Sequence, residues 1–213
     1  MDEGLDAVCE VVLESLAATS AGRETALAAC RRATRASANA IRALHRGDHR
    51  SADDLMAEAR GLLVAAVDAL EGFPQVRWAG FVHDAQKEYA EAALTSAAIR
   101  GEAFPTPDET GVTEVAWLHG IAEAIGELRR EALDKLRGGD VAGAEHLLAE
   151  MDGFHAVLVR IDFPDAMTAG LRRATDAARG VLERTRADVT IATVQQRLER
   201  ALVEHARKVD DER

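Results

Sequence analysis

Apolar residues along this chain recur at the spacing of an amphipathic helix, as in Leu62, Val64, Ala65, Ala69 and Leu70, and not in the two-residue alternation of a strand. Turn-forming stretches interrupt the pattern: SAGRE (20–24), RGDHRSADD (46–54), EGFPQ (71–75), GEAFPTPDETG (101–111), RGGD (137–140) and DFPD (162–165). Taken as helix ends, they predict seven or eight helices near 3–19, 23–46, 51–71, 74–101, 111–137, 140–161, 165–186 and 190–209. Ser51, Asp140 and Asp165 are candidate N-caps, since their side-chain oxygens can accept from the free N–H groups of a first turn. Pro74 and Pro164 stand where a helix begins or just before one. No shift of composition marks a linker. The expectation is therefore one all-α domain over 1–213, with 1–22 an N-terminal extension helix and 190–213 a C-terminal helix and tail. The stripe Val194–Leu198–Leu202 on the last helix fits a docking or oligomer surface and fits core packing equally well.

Composition narrows the class. Of 213 residues, 47% are hydrophobic but only 4% aromatic, so alanine, leucine and valine must fill the core, which favours closely packed helices over strands. A formal charge of −11 argues against a generally basic protein that coats nucleic acid, yet leaves room for a local basic groove. Lysine occurs only at Lys87, Lys135 and Lys208, so arginine carries nearly all the positive charge. Cys9 and Cys30 are too few for a disulfide scaffold or a thiolate metal cage. The acidic start MDEGLDAVCE is unlike a signal peptide, and no apolar run approaches the ~20 residues of a membrane span. These features lead to the expectation of a soluble, cytoplasmic protein.

Two pairs of glutamates draw attention. Glu88 and Glu91 are three residues apart in QKEYAEAA, and Glu123 and Glu127 are four apart in WLHGIAEAIGELRRE, with His119 one turn earlier. Residues at these spacings share a helix face. Exposed like charges so placed repel by roughly 0.2–0.5 kcal/mol, and buried together they cost several times more unless a cation intervenes. Mg²⁺ or Mn²⁺ is the natural compensation, because these ions prefer carboxylate oxygens and keep water in their remaining positions. The ordinary alternative is a solvated acidic face. A ferritin-like di-iron centre needs Glu-x-x-His on two helices, whereas here Glu91 and Gly126 occupy the third position after Glu88 and Glu123. The sequence also lacks a phosphate-binding glycine loop and a G-x-S-x-G elbow.

Five stretches in order, RETALAACRRATRASANAIRALHR (23–46), KEYAEA (87–92), WLHGIAEAIGELRREALDKLRGGD (117–140), MDGFHAVL (151–158) and DFPDAMTAGLRR (162–173), resemble the translin family. The resemblance spans about 23–188 and is nearer to the catalytic branch, translin-associated factor X and the archaeal translin-like ribonucleases. It implies a bundle of about seven long helices that assembles into a closed, barrel-like octamer, with RNA inside and Mg²⁺-dependent endoribonuclease activity. The family's catalytic acids lie in E-Y-x-E-A and G-x-A-[DE]-x-x-G-E motifs, which match EYAEA and GIAEAIGE here. The implied catalytic and metal-binding residues are thus Glu88, Glu91, Glu123 and Glu127. Position 123 is aspartate in the animal catalytic subunit, so the placement of the longer glutamate is a departure. Translin proper lacks this acid set and binds without cleaving.

Positive charge for RNA is sought on 23–46, where Arg31, Arg35, Arg42 and Arg46 fall within roughly 60° on a helical wheel and Arg32 lies beside them. A solvated face making ion pairs is the plain alternative. Arg77 and His83 are further candidates for RNA contact, and Trp78 for base stacking or core packing. His83 and His119 are also candidates for proton transfer, with a structural role the more usual one for such residues. Tyr89 points away from its neighbouring acids and reads as packing. The expected function is a metal-dependent endoribonuclease cutting single-stranded or partly unpaired RNA as a homo-oligomer. The alternatives are a non-catalytic RNA- or DNA-binding oligomer of the same fold and a helical scaffold without ligand.

Overall fold

The computed structural model describes residues 3–77 and 79–211, and places no strand among them. Its helices are α1 (Glu3–His45), α2 (His49–Asp68), α3 (Pro74–Arg77), α4 (Gly80–Arg100), α5 (Pro107–Thr110), α6 (Glu114–Arg137), α7 (Val141–Val159), α8 (Asp165–Thr168) and α9 (Leu171–Asp211). The chain forms two compact units, one running up to Ser96 together with Phe104–Gly120, the other comprising Ala97–Ala103 with the chain from Ile121 onward. Among the described residues, no helix is long and apolar enough to cross a membrane.

In the first unit α1 and α2 pack antiparallel. Ala26, Cys30, Ala33, Ser37, Ala40 and Leu44 are buried along α1, and Ala59, Leu63, Ala66 and Leu70 along α2 and its end. Both runs alternate steps of four and three, the repeat that keeps one stripe facing a neighbouring helix. Mostly small side chains let the two backbones approach closely. The direction follows from Arg32, which pairs with Glu58 at 3.3 Å, and Gly22, which faces Ala69 and Phe73. The turn between them is made by Gly47 at φ 72° and by Asp48, whose carboxylate accepts from the N–H of Ser51 at 3.1 Å. Asp48, and not Ser51, is therefore the N-cap. Tyr89 is buried with this core, as its sequence setting suggests, and Trp117 packs partly against it, donating from Nε1 to the Pro105 carbonyl at 2.9 Å.

In the second unit α7 and α9 pack antiparallel, with Leu147, Met151, Phe154 and Leu158 buried on one and Ala178, Leu182, Thr185 and Val189 on the other. Arg186 reaches Asp152 at 2.6 Å and Thr193 reaches Glu145 at 2.8 Å, which fixes their opposite directions. Arg129 of α6 donates to Thr185 Oγ1 at 3.0 Å and pairs with Asp188 at 2.9 Å. Asp140 caps α7 as expected, accepting from the N–H of Gly143 at 2.8 Å.

Several predicted boundaries are corrected. No helix ends at 20–24, because α1 runs through. A Cβ on Gly22 would come within 2.9 Å of the Ala69 carbonyl oxygen and of the Phe73 ring, so this glycine admits a close contact and does not stop a helix. The segment 74–101 is α3 followed by α4, with Ala79 N–H bonded to Val76 and Val82 N–H to Ala79 in tighter turns. The stretch 101–111 contains α5, capped reciprocally by Thr106 and Glu109. Asp165 does not cap its helix; Pro164 holds that position. Only the four-residue α8 forms there, ended by Ala169 at φ 51° and Gly170 at φ 84°. Helix α9 then continues through 187–189, where Val189 is buried and Thr185 and Thr190 return their hydroxyls to the carbonyls of Val181 and Arg186 at 2.9 and 2.7 Å.

The outer ends of α1 and α9 remain uncovered. Leu5, Val8, Val12 and Leu16 are 50–66% exposed, and Ile191, Val194, Leu198 and Leu202 are 57–59% exposed. The Val194–Leu198–Leu202 stripe is not part of this chain's own core.

Candidate metal centre

The close approach of α4 and α6 starts from two small residues. A Cβ on Gly120 would lie 2.7 Å from the Ala90 Cβ and 2.9 Å from the Glu91 amide nitrogen, closer than real atoms pack, so the bare backbone of α6 rests directly on that of α4. Glu91 is adjacent to that contact on α4, and Glu123 follows Gly120 by three residues, about one turn, on α6. One carboxylate oxygen from each of Glu88, Glu91 and Glu123 lies within 4.8 Å of the other two. Burial is graded: Glu91 is 8% exposed, Glu88 is half-buried and Glu123 is exposed. Lys87 Nζ stands 3.4 Å from Glu88 Oε1.

This donor set fits a hard divalent cation. It offers oxygen only, and carboxylates this close would repel one another without a shared positive charge. Oxygens on one octahedral Mg²⁺ are about 3.0 Å apart when adjacent and about 4.2 Å when opposite, so pairs up to 4.8 Å apart would have to draw inward by side-chain rotation as an ion bound. The open side at Glu123 leaves room for water and a substrate oxygen. Thr95, fully buried one turn beyond Glu91 on the same stripe of α4, has a hydroxyl without a hydrogen-bond partner among the described residues. Only its position four residues after Glu91 marks it in the sequence.

Glu127 is outside the three-member set; it is half-buried, with Arg130 at 4.0 Å. Arg31, Arg32, Arg35 and Arg42 are all exposed on α1, while Arg46 lies just past its end. Arg32 is engaged with Glu58 and Arg42 with Asn39, so part of the stripe makes the ordinary surface pairings. Arg77 is exposed at the end of α3, and Trp78 lies outside the described residues. His83 is half-buried, its ring centroid 5.5 Å from that of His119 with the planes at 86°. Burial, and then the like charge of His119, hold the His83 imidazole below its ordinary range.

No family model matches the chain. The uncharacterized protein MJ0175 of Methanocaldococcus jannaschii is 29% identical over 199 residues, covering 93% of this chain and 86% of that one. Among solved structures, AfC3PO in complex with duplex RNA is 37% identical with a TM-score of 0.79, over 88% of this chain and 95% of that one. A crystal structure of AfC3PO is 36% identical at the same TM-score, over 88% and 96%. NeC3PO in its apo form, at 21% identity and a TM-score of 0.77 over 90% and 98%, shares the fold. AfC3PO is an archaeal translin-like protein, and with more than a third of its residues in common over nearly its whole length, this chain belongs to the translin family.

Proposed function

We propose that the protein is a metal-dependent endoribonuclease that binds RNA as a homo-oligomer and cuts single-stranded or partly unpaired strands. The observation that carries the reading is the convergence of Glu88, Glu91 and Glu123 oxygens within 4.8 Å. Glu88, Glu91 and Glu123 would hold Mg²⁺ or Mn²⁺. Such an ion supplies a water acidified toward neutral pH and withdraws charge from a phosphate oxygen. Glu127, one turn beyond Glu123 and outside the tight set, is suited to accept a hydrogen bond from the attacking water and orient it. Its half-buried position keeps the carboxylate near solvent, where a proton taken from water can be released. Half-buried Glu88 and buried Glu91 fix the inner side of the centre, because side chains packed on α4 lose little further freedom when an ion binds.

RNA binding in an acidic chain needs concentrated positive charge. The exposed α1 arginines Arg31, Arg35 and Arg42, with Arg46 and Arg32 beside them and Arg77 and His83 nearer the acids in sequence, are the groups available to track phosphates. The RNA complex of the AfC3PO relative supports RNA as the ligand class. The exposed apolar stripes at the two chain ends support self-association, since monomers seldom leave such rows in water. In a closed shell of the family's octameric kind, acidic outer faces and arginine-bearing inner ones need not share a sign. A cytoplasmic location accords with an RNA substrate.

The test is cleavage of labelled single-stranded and duplex RNA with Mg²⁺, with Mn²⁺ and with chelator. Metal-dependent cutting that is lost in Glu91→Gln and Glu123→Gln, with RNA retention preserved, is the expected result. Retention without cutting under every metal condition would instead establish the non-catalytic alternative.

A further inference from the structure

The reading above uses His83 only for phosphate contact and His119 not at all. His83 on α4 and His119 on α6 meet edge to face, ring centroids 5.5 Å apart, and both are half-buried. His119 precedes Glu123 by four residues on the same face of α6. Lys87 stands one turn after His83 on α4, its ammonium engaged with Glu88 at 3.4 Å, and Asp84 is the adjoining acid. Two imidazolium rings at this separation would oppose each other, so the pair is suited to hold one proton between its rings and not two.

Resting on the nuclease reading, we propose that His83 and His119 form a proton-delivering pair that protonates the leaving oxygen of the RNA phosphodiester.

The chemistry divides between the two clusters. Carboxylates ionised to hold a cation are acceptors only, able to take a proton from water but with none to give. The oxygen expelled from phosphorus is a strong base and leaves faster when a proton meets it. Histidine is the side chain that carries an exchangeable proton near neutral pH. Residues four apart on a helix hold their Cβ atoms about 6 Å from each other, so His119 and Glu123 can address two sides of one phosphodiester. The step balances without a further reagent. Water oxygen bonds to phosphorus, its proton passes to a carboxylate of the site and on to solvent, and the bond from phosphorus to the leaving oxygen breaks with its electron pair. That oxygen takes the proton of the imidazole pair, which is restored from solvent.

The experiment compares wild type with His83→Gln, His119→Gln and the double variant on three RNAs: ordinary, 3′-bridging phosphorothiolate and 5′-bridging phosphorothiolate. Sulfur leaves without needing a proton. The double variant should cut ordinary RNA about a hundredfold more slowly. One of the two sulfur substrates should be cut at close to the wild-type rate, and affinity for Mn²⁺ should stay within twofold. Equal slowing on all three RNAs, no slowing on any, or lost Mn²⁺ binding would overturn the proposal, and the single variants provide the same readout should the double variant not fold. A wild-type protein that cuts nothing would instead remove the nuclease reading, and this inference with it, so the two failures are distinguishable.

Discussion

Gly120 of α6 touches Ala90 of α4 so closely that a single methyl group would not fit between them, the hypothetical Cβ falling 2.7 Å from that of Ala90. The two helices therefore depend on a hydrogen atom where any other residue has carbon. Gly120→Ala should push the backbones apart and destabilise the fold by about 1–3 kcal/mol, read as an earlier midpoint in denaturant titration. Mn²⁺ affinity should fall with it, since Glu91 sits at the contact and Glu123 one turn along. Unchanged stability and metal binding would mean that the contact is not this tight in solution.

The clustered carboxylates oppose one another in the absence of a cation. Glu91→Gln should raise the melting temperature measured in chelator while abolishing metal-induced stabilisation. Wild type should gain about 2.7 kcal/mol with metal at a hundredfold over its dissociation constant. Thermal melts with and without Mn²⁺ check both halves, and a variant less stable than wild type in chelator would contradict the account.

Arg31, Arg35 and Arg42 are exposed along one side of α1. Replacing all three with alanine should weaken RNA binding and flatten the plot of log affinity against log salt by roughly 0.7 per lost phosphate contact on single strands. Gel shifts across a salt series measure it; an unaltered slope would place the RNA elsewhere.

His83 has a pH consequence whose sign is fixed. Its imidazole is held below the ordinary value of 6.5 in the folded chain, chiefly by burial. As pH falls below 6.5 the unfolded chain binds this proton first, so the group costs stability progressively until pH drops under its folded value; above 6.5 it contributes nothing. His83→Gln should make stability between neutral and mildly acidic pH flatter than in wild type. In His119→Gln the His83 ring should titrate at higher pH by NMR, because a like charge is gone.

Cys30 is packed under α2 with 2% exposure, and burial pushes its thiol up to about 11, whereas Cys9 is exposed. A thiol reagent should titrate one cysteine per native chain quickly and the second only on unfolding. Loss of fast labelling in Cys9→Ser would confirm the assignment.

Much of this molecule was legible in the order of its residues. Helical spacing and alanine richness determined the all-α class, because a 3.6-residue period buries one stripe whatever the partner. Asp140 was recognisable as a cap from its place before an apolar run, and the paired glutamates from their spacing within family motifs. What the chain order could not reveal was whether a glycine ends a helix or admits a neighbour. Gly22 and Gly120 proved to do the second, and only the facing Phe73 and Ala90 distinguish the cases. Likewise, spacing put Glu123 and Glu127 on one face of α6 with equal standing, yet the three mutually close acids include Glu123 and not Glu127. Periodicity states which side chains share a face; which faces meet, and at what distance, is set by how small residues let one backbone settle against another.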